Sequence, residues 1–209
     1  FAGVSVRESA AAQYLDSLGI PARCHLDPTL VVSGAEWSAF AGAAPARPTP
    51  YILVYQLNSN PVLQQAALAV GKQLGLPVVR IEYWQTFRGR NTHTMMRPSV
   101  AKFVALIRDA SVLISDSFHG AAFALNFNTL LISVRPPKYS GRLDSLLTQF
   151  GLENLRASSA GEAIDVVREY TTMPDCTERL ATERAAVDDY LAEVMRLEAT
   201  PTHIREGSA

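Results

Sequence analysis

A strand that leads through a polar turn into a helix, at residues 112–127, constrains the fold of this chain more than any other stretch. Residues 112–114 are a short apolar run, β-branched at two of three positions, which is typical of a buried parallel strand. Residues 115–120 are polar and turn-prone, and from Ala121 the pattern favours a helix. We therefore predict a wound α/β sheet that presents polar groups at the carboxyl end of this strand.

The polar turn carries Ser117 and His119, which would lie beside the N-terminus of the following helix. Backbone N–H groups without partners, together with the helix dipole, favour an anion at such a position. Histidine ordinarily titrates at a pKa of about 6.5, so it can take or give a proton close to neutral pH. We predict a functional His119; a histidine that only caps the helix or satisfies a carbonyl group is the structural alternative.

Basic residues cluster around this turn although the chain of 209 residues has a net charge of only −1. Residues 80–142 hold nine Lys and Arg against three acidic residues, whereas the remainder of the chain is acidic. Such a local surplus favours a small anionic ligand over nucleic acid, which needs a broader basic face. Scattered, solvated charge is the alternative explanation.

Several classes of protein do not fit the sequence. It contains no apolar run of membrane-spanning length and neither a P-loop nor a glycine-rich nucleotide fingerprint.

Cys24 and Cys176 are far apart, without metal-ligand spacing, so we expect two free thiols in a reducing compartment. The first residue is not Met and lies next to a predicted strand, so we expect a fragment of a longer protein.

From residue 51 onward, predicted strands and helices alternate. The strands are at residues 51–55, 77–81, 112–114 and 129–134, and the helices are at 62–74, 99–108, 121–127, 143–150 and 161–170. Residues 82–97 and 135–142 are predicted to be polar loops. Alternation with short connections indicates a parallel sheet wound with helices, a Rossmann-like half.

The two ends of the chain are less regular. We predict a strand at residues 3–6, a helix capped by Ser9, a strand-like piece at 25–32 and a short helix from Ser33. The first helix would bury Tyr14, Leu15 and Leu18. Residues 41–50 have the composition of a linker. A long helix at 175–197 would bury one face, formed by Val187, Tyr190, Leu191, Val194 and Leu197.

Short motifs occur along the chain in a recognisable order. They are Ser-Val-Arg-Glu-Ser from Ser5, Leu-Asp-Pro-Thr-Leu-Val-Val-Ser from Leu26, Glu36-Trp37, Tyr-Ile-Leu-Val-Tyr from Tyr51, Asn60-Pro61, Leu-Gly-Leu-Pro-Val-Val from Leu74, Ser-Asp-Ser-Phe-His-Gly from Ser115, Arg142, Ser-Leu-Leu from Ser145 and Gly-Leu-Glu from Gly151. This ordered set resembles the polysaccharide pyruvyl transferase family over roughly residues 4–155. The Ser-Phe-His-Gly box is its most specific member.

The resemblance implies a GT-B-like fold of two Rossmann-like domains. Residues 1–45 would be the end of a truncated N-terminal domain with a linker, 46–173 the C-terminal domain, and 174–209 a C-terminal helix and tail. It also implies transfer of a pyruvyl group from phosphoenolpyruvate to sugar hydroxyls of a surface polysaccharide or its precursor, with no metal. We predict no cofactor, and we expect this chain to be inactive alone because the cleft needs both domains.

This chemistry assigns roles to particular residues. His119 would be the catalytic acid or base, and backbone amides at Ser117–Gly120 would hold the leaving phosphate. Cationic side chains would bind the phosphate and carboxylate groups. The residues predicted to bind substrate are Ser117, Gly120, Arg135, Lys138, Arg142, Arg7 and Asn58. For Arg7 and Arg142, ordinary surface salt bridges are an equally open explanation.

Two other functions stay open from the sequence. One is a GT-B-type glycosyltransferase that uses a nucleotide sugar. The other is a non-catalytic, glycan-binding member, suggested because Ser117 occupies a position where many family members carry Arg. We expect phosphoenolpyruvate and a saccharide as partners, no nucleic acid and no membrane span, and leave a homo-oligomer open. The expected location is cytoplasmic, either free or at the inner face of the membrane.

Overall fold

Two groups of elements make up the part of the chain that the structure describes. This computed structural model covers residues 2–43, 47, 50–82, 92–135 and 141–198. One compact unit comes from the described parts of residues 1–31 and 177–209, and the other from those of residues 32–176. The assignment of domains to residues 1–45, 46–173 and 174–209 stays a prediction.

The smaller unit contains two short parallel strands and three helices. Strands β1 (Ser5–Val6) and β2 (Arg23–Cys24) pair in parallel, and helices α1 (Ser9–Ser17) and α2 (Pro28–Val31) follow them. The last helix of the chain, α9 (Thr177–Glu198), belongs to this unit. Its Arg184 Nε donates a hydrogen bond of 2.8 Å to the Leu30 carbonyl oxygen, which fixes α9 against α2.

Three predictions for the smaller unit were wrong. The N-cap of α1 is Glu8 without a side-chain bond, so Ser9 is its first helical residue and not its cap. No residue of α1 is buried, and Tyr14 is 65% exposed. Residues 28–31 are helical rather than strand-like, because Pro28 suits a first helical position and the Asp27 carboxylate accepts the Thr29 amide at 2.9 Å.

The buried face predicted for α9 is confirmed only in part, and the side chain of Leu197 lies outside the described residues. Of its described members, Val187 is buried, Tyr190 and Val194 are half-buried, and Leu191 is 46% exposed. Polar contacts also hold α9 in the smaller unit. Arg23 makes an ion pair with Glu193 through two hydrogen bonds of 2.7 and 3.0 Å. This pair raises the pKa of Arg23 and lowers that of Glu193. Periodicity alone therefore overestimated the apolar packing of this helix.

The larger unit is organised around one six-stranded sheet in which every pair is parallel. Its strands are β3 (Ile52–Tyr55), β4 (Val78–Glu82), β5 (Thr92–Met96), β6 (Val112–Ser115), β7 (Leu130–Val134) and β8 (Arg156–Ala157). Their order across the sheet is β5-β4-β3-β6-β7-β8. This order corresponds to 3-2-1-4-5-6 in chain sequence, which is the Rossmann order. The predicted α/β class with a Rossmann-like parallel sheet is confirmed.

One strand of the sheet lies where a loop was predicted. Residues 92–96 form β5, which pairs with β4 in the register Val78 to Thr92. The sequence Thr-His-Thr-Met-Met lacks the apolar run of a strand buried on both faces, and so it was not recognised. Tyr83, Trp84 and Phe87 of the same predicted loop lie outside the described residues.

Local sequence signals explain where the helices of the larger unit begin and end. They are α3 (Gly34–Ala41), α4 (Pro61–Leu74), α5 (Val100–Arg108), α6 (Phe118–Phe127), α7 (Gly141–Phe150) and α8 (Ala160–Glu169). Side-chain N-caps come from Ser33, Asn60, Ser99, Ser117 and Ser159. Gly75 and Asn128 end α4 and α6 in left-handed conformations. Because Ser117 is a cap, α6 begins three residues earlier than predicted.

The core lies between the sheet and its helices. Residues of β3, β6 and β7 are almost wholly buried, and Tyr51 donates its hydroxyl to the Leu106 carbonyl oxygen at 2.7 Å. Both cysteines are free thiols, as predicted; Cys24 is exposed and Cys176 is buried. Among the described residues, no helix is both long enough and apolar enough to cross a membrane.

Candidate active site at the carboxyl edge of the sheet

The strand order of the larger unit reverses between β3 and β6, which is where an open α/β sheet forms a crevice. These strands are neighbours, paired from Ile52 with Val112 to Tyr55 with Ser115. From β3 the chain passes through α4 to β4 on one side, whereas from β6 it passes through α6 to β7 on the other. Loops that diverge in this way leave a crevice beyond the carboxyl ends of the strands, where α/β proteins bind ligands.

One buried carboxylate joins the two loops of this crevice. Asp116, which follows β6 and is only 4% exposed, accepts the Leu57 amide at 2.7 Å and the Asn58 amide at 3.0 Å. It also accepts the Asn58 side-chain amide at 3.1 Å. Asn58 therefore supports the loop through Asp116, and the cap of α4 is Asn60, which accepts the Val62 amide at 3.0 Å. Three charge-assisted hydrogen bonds therefore join the loop after β3 to the turn after β6.

Ser115 and Gly120 allow α6 to pack closely against β3. Ser115 Oγ donates to the Tyr55 carbonyl oxygen at 2.6 Å and accepts the Ser117 amide at 3.1 Å. A Cβ atom added at Gly120 would lie 2.8 Å from Ser115 Oγ and 3.2 Å from a ring carbon of Tyr55. Gly120 is therefore required for packing, whatever its role towards a ligand.

His119 is the second residue of α6 and is exposed at the carboxyl edge of the sheet. Its ring meets the Phe118 ring edge-on, with centroids 5.4 Å apart. Ser117 caps the helix by accepting the Gly120 amide at 3.3 Å. Two of the four amides expected to receive an anion, those of Ser117 and Gly120, are thus already bonded inside the turn. The imidazole itself is accessible, as an acid or base for a bound ligand must be.

The predicted cations divide between the two units. Arg135 directly follows β7, the strand beside β6, whereas His119 follows β6. The Arg135 side chain is 71% exposed, and its guanidinium group lies 3.3 Å from the Asp144 carboxylate. Arg142 lies half-buried in the first turn of α7, and Lys138 lies outside the described residues. Arg7 belongs to the smaller unit, where it contacts Asp27 at 2.6 Å. A role for Arg7 in the same site stays a prediction.

A buried charged pair beside the crevice was missed by the sequence reasoning. Arg80 and Glu82 on β4 are 2% and 8% exposed and lie 3.6 Å apart. Arg80 also donates to Gln56 at 3.2 Å, and Gln56 bonds the Asn58 carbonyl oxygen, so the pair reaches the loop held by Asp116. Burial lowers the pKa of Arg80, and Glu82 opposes that effect. The available signal was two charges inside the apolar strand sequence Val-Val-Arg-Ile-Glu.

The described residues contain no group of three or more His, Cys, Asp or Glu side chains placed to hold a metal ion. At the carboxyl edge of the sheet the described residues present the exposed imidazole of His119, the guanidinium group of Arg135 and the N-terminus of α6.

The strand order and the crevice place the larger unit among Rossmann-like α/β proteins, and solved structures share this fold. UDP-GlcNAc 2-epimerase from Methanocaldococcus jannaschii, in complex with UDP-GlcNAc and UDP, superposes with a TM-score of 0.60 at 10% identity. The enzymes from Neisseria meningitidis, bound to UDP-GlcNAc, and Rickettsia bellii give TM-scores of 0.56 and 0.54 at 11% and 12% identity. These matches cover 91%, 93% and 95% of this chain but only 61%, 61% and 62% of those structures. They support the GT-B-like fold.

The sequence itself identifies the family. The family model for polysaccharide pyruvyl transferase matches residues 1–135, which include the polar turn with His119. The chain belongs to the polysaccharide pyruvyl transferase family, as the order of its motifs predicts. None of the curated proteins matches the sequence significantly.

Proposed function

We propose that this chain is part of a transferase that moves a pyruvyl group from phosphoenolpyruvate to sugar hydroxyls of a surface polysaccharide or its precursor. The family match over residues 1–135 carries the proposal. The exposed position of His119 at the switch point of the sheet supports it. Phosphoenolpyruvate and a saccharide would be the partners, without a metal, and the location would be cytoplasmic, free or at the inner membrane face.

The reaction balances without any further reactant. The methylene carbon of phosphoenolpyruvate gains a proton, two sugar oxygens bond to its C2, and the bond from C2 to the phosphate oxygen breaks. Of the two hydroxyl protons released, one balances the new methyl group and the other leaves on inorganic phosphate. His119 would pass a proton between the acceptor hydroxyl and the donor. Arg135, Arg142 and Lys138 would hold the phosphate and carboxylate groups.

Release of inorganic phosphate from phosphoenolpyruvate, in the presence of acceptor saccharides, tests this function. In the full-length protein, His119→Ala should lower turnover by about a hundredfold or more while saccharide binding is retained. Arg168→Gln is the matched control, because Arg168 is exposed near the C-terminal end of α8 and pairs only at 3.5 Å with Asp165. Unchanged phosphate release by the His119 variant would refute the role of the imidazole.

The length of the chain sets a second test. The chain spans about three fifths of the solved structures it resembles, so we propose that it is inactive without a second domain. Phosphate release should then require the full gene product and be absent from the 209 residues alone. Transfer by the isolated chain would contradict this part of the proposal.

A nucleotide-sugar transferase is the alternative that the Rossmann strand order favours. It predicts tight binding of a nucleoside diphosphate at the crevice and no binding of phosphoenolpyruvate. The glycan-binding alternative predicts saccharide binding with no turnover of either donor. The use of Ser117 as a helix cap fits all three functions and does not discriminate between them.

A further inference from the structure

A pocket of about 320 Å³ opens beyond the carboxyl ends of β7 and β8, next to the crevice strand β6. It is lined by Arg135, Asp144, Arg156, Ala157 and Ser158. We propose that this pocket is an oxyanion subsite, which binds a phosphate or carboxylate group through the guanidinium groups of Arg135 and Arg156. Arg156 would thus be a ligand-binding residue in addition to those predicted from the sequence.

The two arginines are held by a single shared carboxylate. Arg135 Nη2 lies 3.3 Å from Asp144 Oδ2, and Arg156 Nε lies 3.4 Å from Asp144 Oδ1. Arg156 Nη2 also donates to the Asp144 backbone oxygen at 3.2 Å. Asp144 therefore orients both guanidinium groups, which line the same pocket.

The Arg156 guanidinium has donors beyond those of Nη2, which bonds the Asp144 backbone oxygen at 3.2 Å and Thr148 Oγ1 at 3.5 Å. An arginine carries five N–H donors in a planar fork that matches two oxygens of a carboxylate or phosphate. Arg156 is about one third exposed, and within the described part of the chain its buried Nε makes no hydrogen bond, although it lies near Asp144. Because the side chain is partly exposed, an incoming oxyanion could bond the outer N–H donors of its fork, while the buried Nε stays beside Asp144.

The neighbouring helix N-terminus does not supply this site. Glu162 accepts the Ser158 amide at 2.8 Å, and Ser159 caps α8 by accepting the Glu162 amide. The Glu162 carboxylate also adds negative charge close to the pocket. Binding must therefore come from directional bonds to the arginines rather than from net charge or the helix dipole, which selects for groups with two adjacent oxygens.

The inference deepens the proposed function but can fail separately from it. Because β7 lies beside β6, an anion in the pocket would belong to a ligand that also extends towards His119. Two sources share this chemistry: the phosphate or carboxylate of phosphoenolpyruvate, and an acidic group on the acceptor saccharide. Binding can be measured without turnover, so the absence of pyruvyl transfer would neither support nor refute anion binding in this pocket.

Protection from arginine modification tests the site in the unaltered chain. Phenylglyoxal labelling, read by mass spectrometry, should be slower at Arg156 when inorganic phosphate is present. Labelling at Arg168, on the far end of α8, should be unchanged. Equal labelling of Arg156 with and without phosphate would overturn the proposal, and this test does not depend on a variant that folds.

Calorimetric titration of variants provides the second test. Arg156→Gln should bind inorganic phosphate about tenfold more weakly or worse, and Arg156→Lys should be intermediate because it keeps the charge but loses the fork. Arg168→Gln should bind like the unaltered chain. Equal affinity for all four proteins would reject the subsite.

Titration with phosphoenolpyruvate and with glucuronate separates the two sources. If Arg156→Gln weakens only phosphoenolpyruvate, the subsite serves the donor; if it weakens only glucuronate, the subsite serves an acidic acceptor. If it weakens neither ligand, the subsite is rejected even when inorganic phosphate binds.

Discussion

The carboxylate of Asp116 should be the most consequential single group in the crevice, and its removal tests the structure most sharply. It accepts three hydrogen bonds of 2.7, 3.0 and 3.1 Å from Leu57 and Asn58 while only 4% exposed. Asp116→Ala removes the acceptor of three donors, and because Leu57 and Asn58 are themselves exposed, water can replace part of the lost bonding. Bonds to charged groups contribute about 1.5–3 kcal/mol each, less than additively, so we expect a loss of about 2–4 kcal/mol in unfolding free energy.

Asp116→Asn provides a graded comparison and Asp165→Asn a matched control. The Asn variant keeps one acceptor oxygen, so its loss should be smaller, about 1–3 kcal/mol. Asp165 is 72% exposed and pairs with Arg168 on the surface of α8, so its change should cost less than about 1 kcal/mol.

Urea unfolding measures the total effect, and amide hydrogen exchange locates it. The Leu57 and Asn58 amides should exchange much faster in Asp116→Ala, whereas the Val62 amide, held by Asn60, should exchange as before. A loss below about 1 kcal/mol, or unchanged exchange at Leu57 and Asn58, would refute the reasoning.

Two further predictions concern packing and pH. Gly120→Ala should destabilise the larger unit by about 1–3 kcal/mol in urea unfolding, because the new Cβ would lie 2.8 Å from Ser115 Oγ. Gly161→Ala, with its nearest atom at 3.7 Å, should be neutral or stabilising, and equal effects would contradict the packing argument. Burial lowers the pKa of His25, with Arg23 acting in the same direction and Glu183 opposing it. The folded state therefore holds this proton more weakly than the unfolded chain, so stability should be full above pH about 6.5 and fall as the solution is acidified below it. The melting temperature should fall as the pH is lowered from 7.5 to 5, and His25→Gln should make this fall smaller. A fall of unchanged size in the variant would exclude His25 as its source.

Much of the larger unit was predictable because its signals are local. The apolar runs gave four of its six strands, and the five helices predicted from residue 62 onward begin and end within three residues of the observed ones. Those signals act between residues a few positions apart, which is why one sequence displays them. The same kind of reasoning failed for α1, where Tyr14 and Leu18 are exposed, and succeeded only in part for α9, where Val187 is buried but Leu191 is exposed.

The candidate site was predictable only in part. The position of His119 followed from the strand–turn–helix pattern, since a residue after a parallel strand lies at the carboxyl edge of the sheet. The partners of that turn did not follow from it. The sequence places Asp116 in a polar turn, whereas its hydrogen-bond donors come from a loop 58 and 59 residues earlier.

The sequence by itself determined the parallel α/β class, the exposed histidine turn and the family to which the chain belongs. Tertiary structure alone decided that β5 completes the sheet, that Asp116 joins the loops of the crevice, and that Arg135 and Arg156 share Asp144. The physical reason is that propensities and caps act along the chain, whereas ion pairs and strand pairing depend on which distant segments the sheet brings together.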